Sequence, residues 1–338
     1  MDPIRETARA LVAPGKGILA ADESSGTIEK RFDQIGVEST EENRRSYRQL
    51  LFTTPGLGDH ISGVILFDET IRQTTHDGTQ LTEVLEKAGA IPGIKVDTGA
   101  KPLALFEGET VTEGLDGLRD RLAEYGELGA RFAKWRATYF IGDGRPTDFA
   151  VLANGHAMAR YAALCQEAGI VPIVEPEVLM DGEHDIAACE DATGRALDGL
   201  YEQLAAHRVD LAGTLLKVNM VVPGKNSPDQ VDDEAIAEAT SRTLLAHVPE
   251  QVPGIVFLSG GMSDEEATSR LNAINRLSGA PWEISFSYGR ALQQQPLKAW
   301  GGDANNVEDA QAALAHRARM NGLARDGAWS PSMEESAA

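Results

Sequence analysis

A lysine interrupts a long apolar stretch in the second half of the chain. Lys217 stands among leucine, valine and methionine residues in the segment GTLLKVNMVVPG, residues 213–224, which is typical of a strand buried on both faces. Burying an unpaired ammonium group is energetically costly. Such a lysine therefore reaches solvent from the strand end, forms a structural ion pair or takes part in chemistry, and this segment alone leaves the three alternatives open.

Other strand-like segments carry polar or charged side chains two residues apart, a spacing that places both on one face of a strand. The pairs are Lys95 and Asp97, Lys134 and Arg136, Glu175 and Glu177, and Lys217 and Asn219, with Asp22 and Arg290 closing two further segments. The interiors of parallel barrels are normally filled with valine, isoleucine and leucine. Charges of both signs near the carboxyl ends of the strands therefore indicate an active site.

Two groups of residues have the composition of anion sites. Ser259, Gly260 and Gly261 precede a helix that opens with the capping box Ser263 to Glu266, so backbone N–H groups can face an anion there.

Near the eighth segment, Ser287, Gly289 and Arg290 can add a guanidinium that pairs with two phosphate oxygens. Arg31 and Lys95 are candidates for a second anion across the mouth of the site. The sequence thus predicts a ligand with two phosphates.

The elements that must position these side chains are eight short apolar segments, each followed by a stretch with helical periodicity. The segments are residues 15–24, 62–70, 91–99, 130–141, 169–179, 212–222, 254–262 and 281–290. Eight alternating strands and helices predict an α/β protein, a single (β/α)8 TIM barrel. We expect the barrel to span residues 1–325, followed by a small, polar and loosely ordered tail, residues 326–338.

Composition excludes several classes of partner. The net charge of −21 argues against nucleic acid and against anionic membranes. No apolar run approaches the roughly 20 residues of a membrane span, and the N-terminal sequence lacks the pattern of a signal peptide. The two cysteines have no metal-site spacing and are typical of a reduced compartment, so we expect a cytoplasmic protein without membrane partners.

The motifs GILAADES, GIKVDTG, FAKWR, GIVPIVEPEVL, GTLLKVNMVVPG, FLSGG and FSYGRALQ follow one another along the chain. In this order they closely resemble the class I fructose-bisphosphate aldolases. The resemblance implies reversible cleavage of fructose 1,6-bisphosphate in glycolysis and gluconeogenesis, with no metal or other cofactor. It also implies a homo-oligomer, a tetramer in this family.

The resemblance assigns a role to each candidate residue. Lys217 would form a Schiff base with the substrate, Glu175 would transfer protons, and Asp22 would be the base near the cleaved bond. Lys134 and Arg136 would be neighbouring cations, and we expect Glu177 to raise the pKa of the pair that it forms with Glu175. Phosphates would be bound by Ser259, Gly260, Gly261, Ser287, Gly289 and Arg290 at one end and by Arg31 and Lys95 at the other.

One departure from the family pattern concerns the tail. Animal members end in a tyrosine that visits the active site, whereas no tyrosine follows Tyr288 in this chain. The resemblance therefore leaves open which group exchanges protons with the three-carbon intermediate.

Three alternatives remain at this point. A metal-dependent aldolase would need clustered histidines, and the seven histidines here are widely spaced, without an H-x-H or H-E-x-x-H motif. A transaldolase or another imine-forming barrel enzyme would keep the lysine but would not need two phosphate sites. A non-catalytic scaffold would predict the loss of Lys217 or Glu175, and both residues are present.

Overall fold

A computed structural model of the protein describes residues 2–277 and 279–337. In this part of the chain the strands are β1 (Gly17–Ala21), β2 (Ile61–Leu66), β3 (Ile91–Lys95), β4 (Gly99–Pro102), β5 (Thr110–Glu113), β6 (Phe132–Tyr139), β7 (Val171–Val178), β8 (Leu215–Val218), β9 (Gly254–Phe257) and β10 (Glu283–Tyr288).

The α-helices are α1 (Pro3–Leu11), α2 (Ser25–Asp33), α3 (Glu41–Phe52), α4 (Leu57–His60), α5 (Asp68–Ile71), α6 (Leu81–Lys87), α7 (Leu118–Glu127), α8 (Asp148–Glu167), α9 (Ile186–Ala206), α10 (Asp233–His247), α11 (Asp264–Arg276), α12 (Arg290–Trp300) and α13 (Val307–Arg325). Short 3-10 helices cover Leu211–Gly213, Ala304–Asn306 and Pro331–Ala337. None of the helices described here combines the length and the apolar character that a membrane span requires.

Eight of the strands form a closed parallel barrel in the order β1, β2, β3, β6, β7, β8, β9 and β10, with β10 pairing back to β1. The predicted TIM barrel is therefore confirmed. Each strand is shorter than the apolar segment that predicts it, because the residues at the carboxyl ends leave the sheet for the loops. The hairpin formed by β4 and β5 lies between β3 and β6 in the chain, and the apolar pattern did not predict it.

Apolar side chains fill the lower half of the barrel. Leu11 and Val12, at the end of α1, pack with Phe132, Ile173 and Leu215, which point inwards from three strands. Side chains two residues further along each strand point the same way but lie nearer the carboxyl end. This alternation places Lys134, Glu175 and Lys217 directly above an apolar floor.

The described residues of the tail, which the composition predicts to be loosely ordered, contact the helices of the barrel. The backbone N–H of Trp329 donates to Oδ1 of Asn272 at 3.1 Å, and the indole is largely buried. Glu334 accepts hydrogen bonds from Trp329 and Arg317. Composition did not reveal these contacts because their partners lie on α11 and α13, far away in the sequence. Ala338 lies outside the described residues.

Candidate active site

Three charged side chains meet at the centre of the barrel mouth. Nζ of Lys217 lies 3.1 Å from Oε1 of Glu175, and Nζ of Lys134 lies 3.2 Å from the other carboxylate oxygen, Oε2. All three side chains are at least nine-tenths buried. The carboxylate of Glu175 thus bridges two ammonium groups that come from β6 and β8, the strands on either side of β7.

Lys134 also joins this group to the first and third strands. Its ammonium lies 3.0 Å from Oδ2 of Asp22, which follows β1, and 3.7 Å from Oδ2 of Asp97, which follows β3. Oδ1 of Asp97 in turn forms an ion pair with Nζ of Lys95 at 2.9 Å. Asp97 was part of the sequence pattern but was not selected as a site residue, although its spacing from Lys95 was a usable signal.

The charges around these groups decide their protonation. Burial raises the pKa of Glu175, but the ammonium groups of Lys134 and Lys217 outweigh burial and hold the pKa below its ordinary value. Asp22 responds in the same way, and Lys134 and Lys217 keep its pKa well below the usual range. Burial lowers the pKa of Lys134, whereas Asp22 and Glu175 raise it well above the ordinary value. Both carboxyl groups are therefore ionised at neutral pH and can accept protons.

The expectation that Glu177 raises the pKa of the pair that it forms with Glu175 is wrong for Glu175, whose pKa is lowered. Glu177 pairs with Nε of Arg136, and the resulting pair has no net charge to push protons onto Glu175. Oε1 of Glu177 also lies 3.0 Å from the position that a Cβ on Gly260 would take. Glu177 therefore lies between Arg136 and the glycine turn after β9.

That turn has the shape of an anion site. Gly261 has φ +81°, and a Cβ there would lie 2.0 Å from Sδ of Met180, so any other residue at this position would be strained. The turn leads into α11, where Oγ of Ser263 accepts from the N–H of Glu266 and the capping box is complete. Oγ of Ser287 is buried without a hydrogen-bond partner among the described residues. A bound anion would supply that partner.

The sequence pattern predicts that Arg290 closes the eighth strand, and this prediction is wrong. β10 ends at Tyr288, Gly289 turns the chain, and Arg290 is the first residue of α12. The side chain is exposed, because the first turn of this helix faces the open mouth of the barrel. The guanidinium of Arg290 and the N-terminus of α12 thus both face the cleft.

Arg31 lies nearer to this end of the site than expected. Its Nη2 atom is 3.6 Å from the position that a Cβ on Gly289 would take, and its guanidinium pairs with Glu23. Glu23 also pairs with the buried Arg48 at 2.6 Å. Glu23 was not predicted from the sequence, because an acidic residue beside Asp22 carries no local sign of such long-range pairing.

A cleft of about 840 Å³ brings these groups together at the carboxyl ends of the strands. Every residue selected from the sequence lines this cleft: Asp22, Arg31, Lys95, Lys134, Arg136, Glu175, Glu177, Lys217, Ser259, Gly260, Gly261, Ser287, Gly289 and Arg290. Lys30 and Lys298, which the sequence analysis did not select, line its outer part. Across residues 2–277 and 279–337, no group of three or more His, Cys, Asp or Glu side chains is arranged to hold a metal ion.

Comparison with known proteins identifies the family. The family model described as fructose-bisphosphate aldolase class-I matches residues 3–338. The chain belongs to the class I fructose-bisphosphate aldolase family. The expected enzyme class, a carbon–carbon lyase, is thereby confirmed, and class I is the metal-independent type of fructose-bisphosphate aldolase.

Relatives within the aldolase family match over nearly their whole length. The probable fructose-bisphosphate aldolase class 1 of Xanthomonas campestris is 56% identical over 330 residues, which are 97% of this chain and 99% of the relative. The cytosolic fructose-bisphosphate aldolase 4 of Arabidopsis thaliana is 56% identical over 317 residues, 94% of this chain and 81% of the relative.

A solved aldolase has the same fold. The fructose-bisphosphate aldolase of Plasmodium falciparum, in complex with TRAP and a small-molecule inhibitor, superposes with a TM-score of 0.96 at 47% identity. The match covers 97% of this chain and 95% of that one. A sugar phosphate is therefore the substrate class of the site described above.

Proposed function

We propose that the chain cleaves fructose 1,6-bisphosphate reversibly to dihydroxyacetone phosphate and glyceraldehyde 3-phosphate, through a Schiff base on Lys217. The observation that carries this proposal is the 3.1 Å contact between Nζ of Lys217 and the carboxylate of Glu175 inside a charged, largely buried mouth. Family membership supports the reaction, and the pathways that it serves would be glycolysis and gluconeogenesis.

Schiff-base formation requires a neutral amine, whereas an ordinary lysine has a pKa near 10.4. The ionised carboxylate of Glu175 can take the ammonium proton of Lys217, which frees the nitrogen to attack the C2 carbonyl of the ketose. Glu175 then returns that proton to the hydroxyl of the carbinolamine, which leaves as water and gives the protonated imine. The low pKa keeps Glu175 ionised in the free enzyme, the form that the first step requires. It also makes Glu175 a weak base, so the proton transfer is drawn forward by the attack of the amine on C2.

Bond cleavage needs a base and an electron acceptor. Asp22, held 3.0 Å from Lys134, can take the proton of the C4 hydroxyl. The C3–C4 bond then breaks, its electron pair moves towards the imine nitrogen, and the aldehyde glyceraldehyde 3-phosphate leaves. Protonation at C3 and hydrolysis of the imine would release dihydroxyacetone phosphate and restore Lys217.

Two groups of cations and N–H donors would hold the phosphates. The C1 phosphate would lie against Ser259, Gly260, Gly261, Ser287, Gly289 and Arg290, which we call the C1 cradle. Lys95 and Arg31 would bind the second phosphate, with Arg136 nearby, and Arg31 would also border the C1 cradle because it lies beside Gly289. The buried, unpartnered hydroxyl of Ser287 and the helix start at Arg290 support the C1 cradle.

Reductive trapping tests the covalent step. Borohydride added with dihydroxyacetone phosphate should attach one three-carbon phosphate per chain, on the peptide that contains Lys217. Lys134 is the matched internal control, because it lies on the other oxygen of the same carboxylate. Label on Lys134 or Lys95 would refute the assignment, and cleavage without any trapped adduct would favour a different mechanism.

The location and assembly of the protein are also proposals. A cytoplasmic homo-oligomer, a tetramer by family resemblance, agrees with the cytosolic plant relatives and with an exposed apolar surface. Leu105 is fully exposed, Phe149 and Leu152 are about half exposed, and Phe106 stacks on Phe149 at 4.9 Å. Light scattering of the native chain and of a Leu105→Ser variant would test whether this surface joins the subunits.

A further inference from the structure

A guanidinium outside the catalytic cleft is completely buried. The side chain of Arg317, on α13, is 0% exposed. Its Nη2 atom donates to Oγ1 of Thr268 at 2.5 Å and to the backbone oxygen of Asp264 at 3.3 Å, both in the first turns of α11. A charge that is removed from water in this way needs a counter-charge.

The C-terminal tail provides that counter-charge. Nη1 of Arg317 donates to Oε2 of Glu334, and Nε2 of His316 lies 3.1 Å from the same oxygen. Nε1 of Trp329 donates to the other carboxylate oxygen at 2.9 Å. The side chain of Glu334 is only 14% exposed, so the tail closes over a buried ion pair.

Three contacts connect this ion pair to the C1 cradle. Asp264, whose backbone oxygen accepts from Arg317, is the first residue of α11 and lies three residues after Gly261 of the glycine turn. Oδ2 of Asp264 accepts from Nε2 of Gln295 at 2.6 Å, and Gln295 lies on α12, the helix that begins at Arg290. The hydroxyl of Tyr288, the last residue of β10, donates to the backbone oxygen of Ala267 at 2.9 Å.

We propose that Glu334 and Arg317 are positioning residues that hold the starts of α11 and α12 in register for the C1 phosphate. The inference rests on the proposed C1 cradle. Neither residue lines the cleft, so both act through Asp264 and the glycine turn. The tail thus acts on the site from outside the cleft, because it fixes the position of α11, the helix that follows the glycine turn.

The physical reason lies in the asymmetry of a buried ion pair. With Glu334 neutralised, Arg317 keeps its charge and has to move towards water, which breaks its bonds to Asp264 and Thr268. A small displacement of a positioning group costs binding and rate out of proportion to its size. We therefore expect Glu334→Gln to raise the KM for fructose 1-phosphate about tenfold.

The experiment compares ligands that use different phosphate positions. Glu334→Gln should raise the KM for fructose 1-phosphate, while the inhibition constant of glyceraldehyde 3-phosphate stays within about twofold, because that ligand carries only the other phosphate. Glu334→Asp, which keeps the charge, should recover part of the KM. Glu308→Gln is the matched control, because Glu308 is an exposed glutamate on α13, the same helix as Arg317, and should change neither constant.

Each variant is normalised to the number of sites that borohydride can trap. A Glu334→Gln enzyme with fewer trapped sites or a lower Tm, but with an unchanged KM per site, would show a purely structural role and overturn the proposal. An equal rise in the KM for fructose 1-phosphate and in the inhibition constant of glyceraldehyde 3-phosphate would overturn the proposal as well.

A double-mutant cycle tests the route through Arg317. Arg317→Met removes the charge and keeps an unbranched side chain. It should raise the KM for fructose 1-phosphate by itself and abolish the further effect of Glu334→Gln. Additive effects would contradict a shared route. Arg290→Ala distinguishes failure of the C1 cradle from failure of this inference. An unchanged KM for fructose 1-phosphate in Arg290→Ala would refute both. A raised KM in Arg290→Ala with an unchanged KM in Glu334→Gln would refute this inference alone.

Discussion

Oε1 of Glu175 lies 3.1 Å from Nζ of Lys217, on neighbouring strands of the barrel. Because Lys134 lies against the other oxygen, the carboxylate faces two ammonium groups and its pKa is held below the ordinary value. Glu175 is thus ionised in the free enzyme. It can donate a proton only after Lys217 has transferred its proton.

This relationship predicts the effect of Glu175→Gln. Glutamine keeps the shape of the side chain but cannot carry the transferred proton, so kcat should fall by about 10²–10⁴-fold. Substrate binding should change far less, because the phosphates are held elsewhere. Stopped-flow measurement of imine formation, compared with the KM, distinguishes the two effects. An unchanged kcat would move the proton-transfer role to Glu177 or Asp22.

Asp22 predicts a pH-dependent contribution to stability. Its native pKa lies below the unfolded value near 3.9, so the unfolded state binds more protons, and the stabilisation is present above that value and declines as the pH falls through the native pKa. Asp22→Asn should lower the free energy of unfolding by about 1.5–3 kcal/mol at pH 7. The difference from the native chain should shrink as the pH approaches 3 in urea titrations.

Asp309 provides the control for that measurement. It is an exposed aspartate on α13, and Asp309→Asn should leave the free energy of unfolding unchanged within about 0.5 kcal/mol at every pH. If the deficit of Asp22→Asn stayed constant from pH 7 to pH 3, the ion pair with Lys134 would not be its cause.

The two phosphate positions predict different substrate preferences for two arginine variants. Arg290→Ala should raise the KM for fructose 1,6-bisphosphate and fructose 1-phosphate alike, by roughly 10–150-fold, the loss of a charge-assisted contact. Arg290→Lys should recover only part of the lost affinity, because lysine lacks the planar guanidinium that pairs with two phosphate oxygens. Arg31→Ala should raise the KM for fructose 1,6-bisphosphate more than the KM for fructose 1-phosphate. Since Arg31 lies beside Gly289, equal penalties in all four combinations would indicate one shared phosphate site.

The class I assignment predicts that activity survives removal of divalent metals. Dialysis against a strong chelator should leave the cleavage rate within about a factor of two, because a lysine imine rather than a metal ion accepts the electrons of the broken bond. A rate that falls and returns only with added zinc would contradict the proposed mechanism. A metal-dependent aldolase treated in parallel shows that the chelator was effective.

The sequence by itself determined the barrel and most of the cleft. Eight apolar segments in alternation with helical ones leave few other ways to bury both faces of a parallel sheet. Within each strand the two-residue period then places charges such as Lys134 and Lys217 above an apolar floor. These signals are local, so one chain is enough to identify them, and the motifs at the strand ends carry the family resemblance.

Only the tertiary structure decided which charges face one another. Glu177 pairs with Arg136, whereas Glu175 contacts Lys134 and Lys217. These pairings depend on side-chain positions in neighbouring strands, which the spacing along one strand does not encode. The start of α12 at Arg290 and the docking of Glu334 on Arg317 are likewise contacts between elements far apart in the sequence. Electrostatic energies depend on distance and burial in three dimensions, and therefore the direction of the pKa shift at Glu175 emerged only from the folded chain.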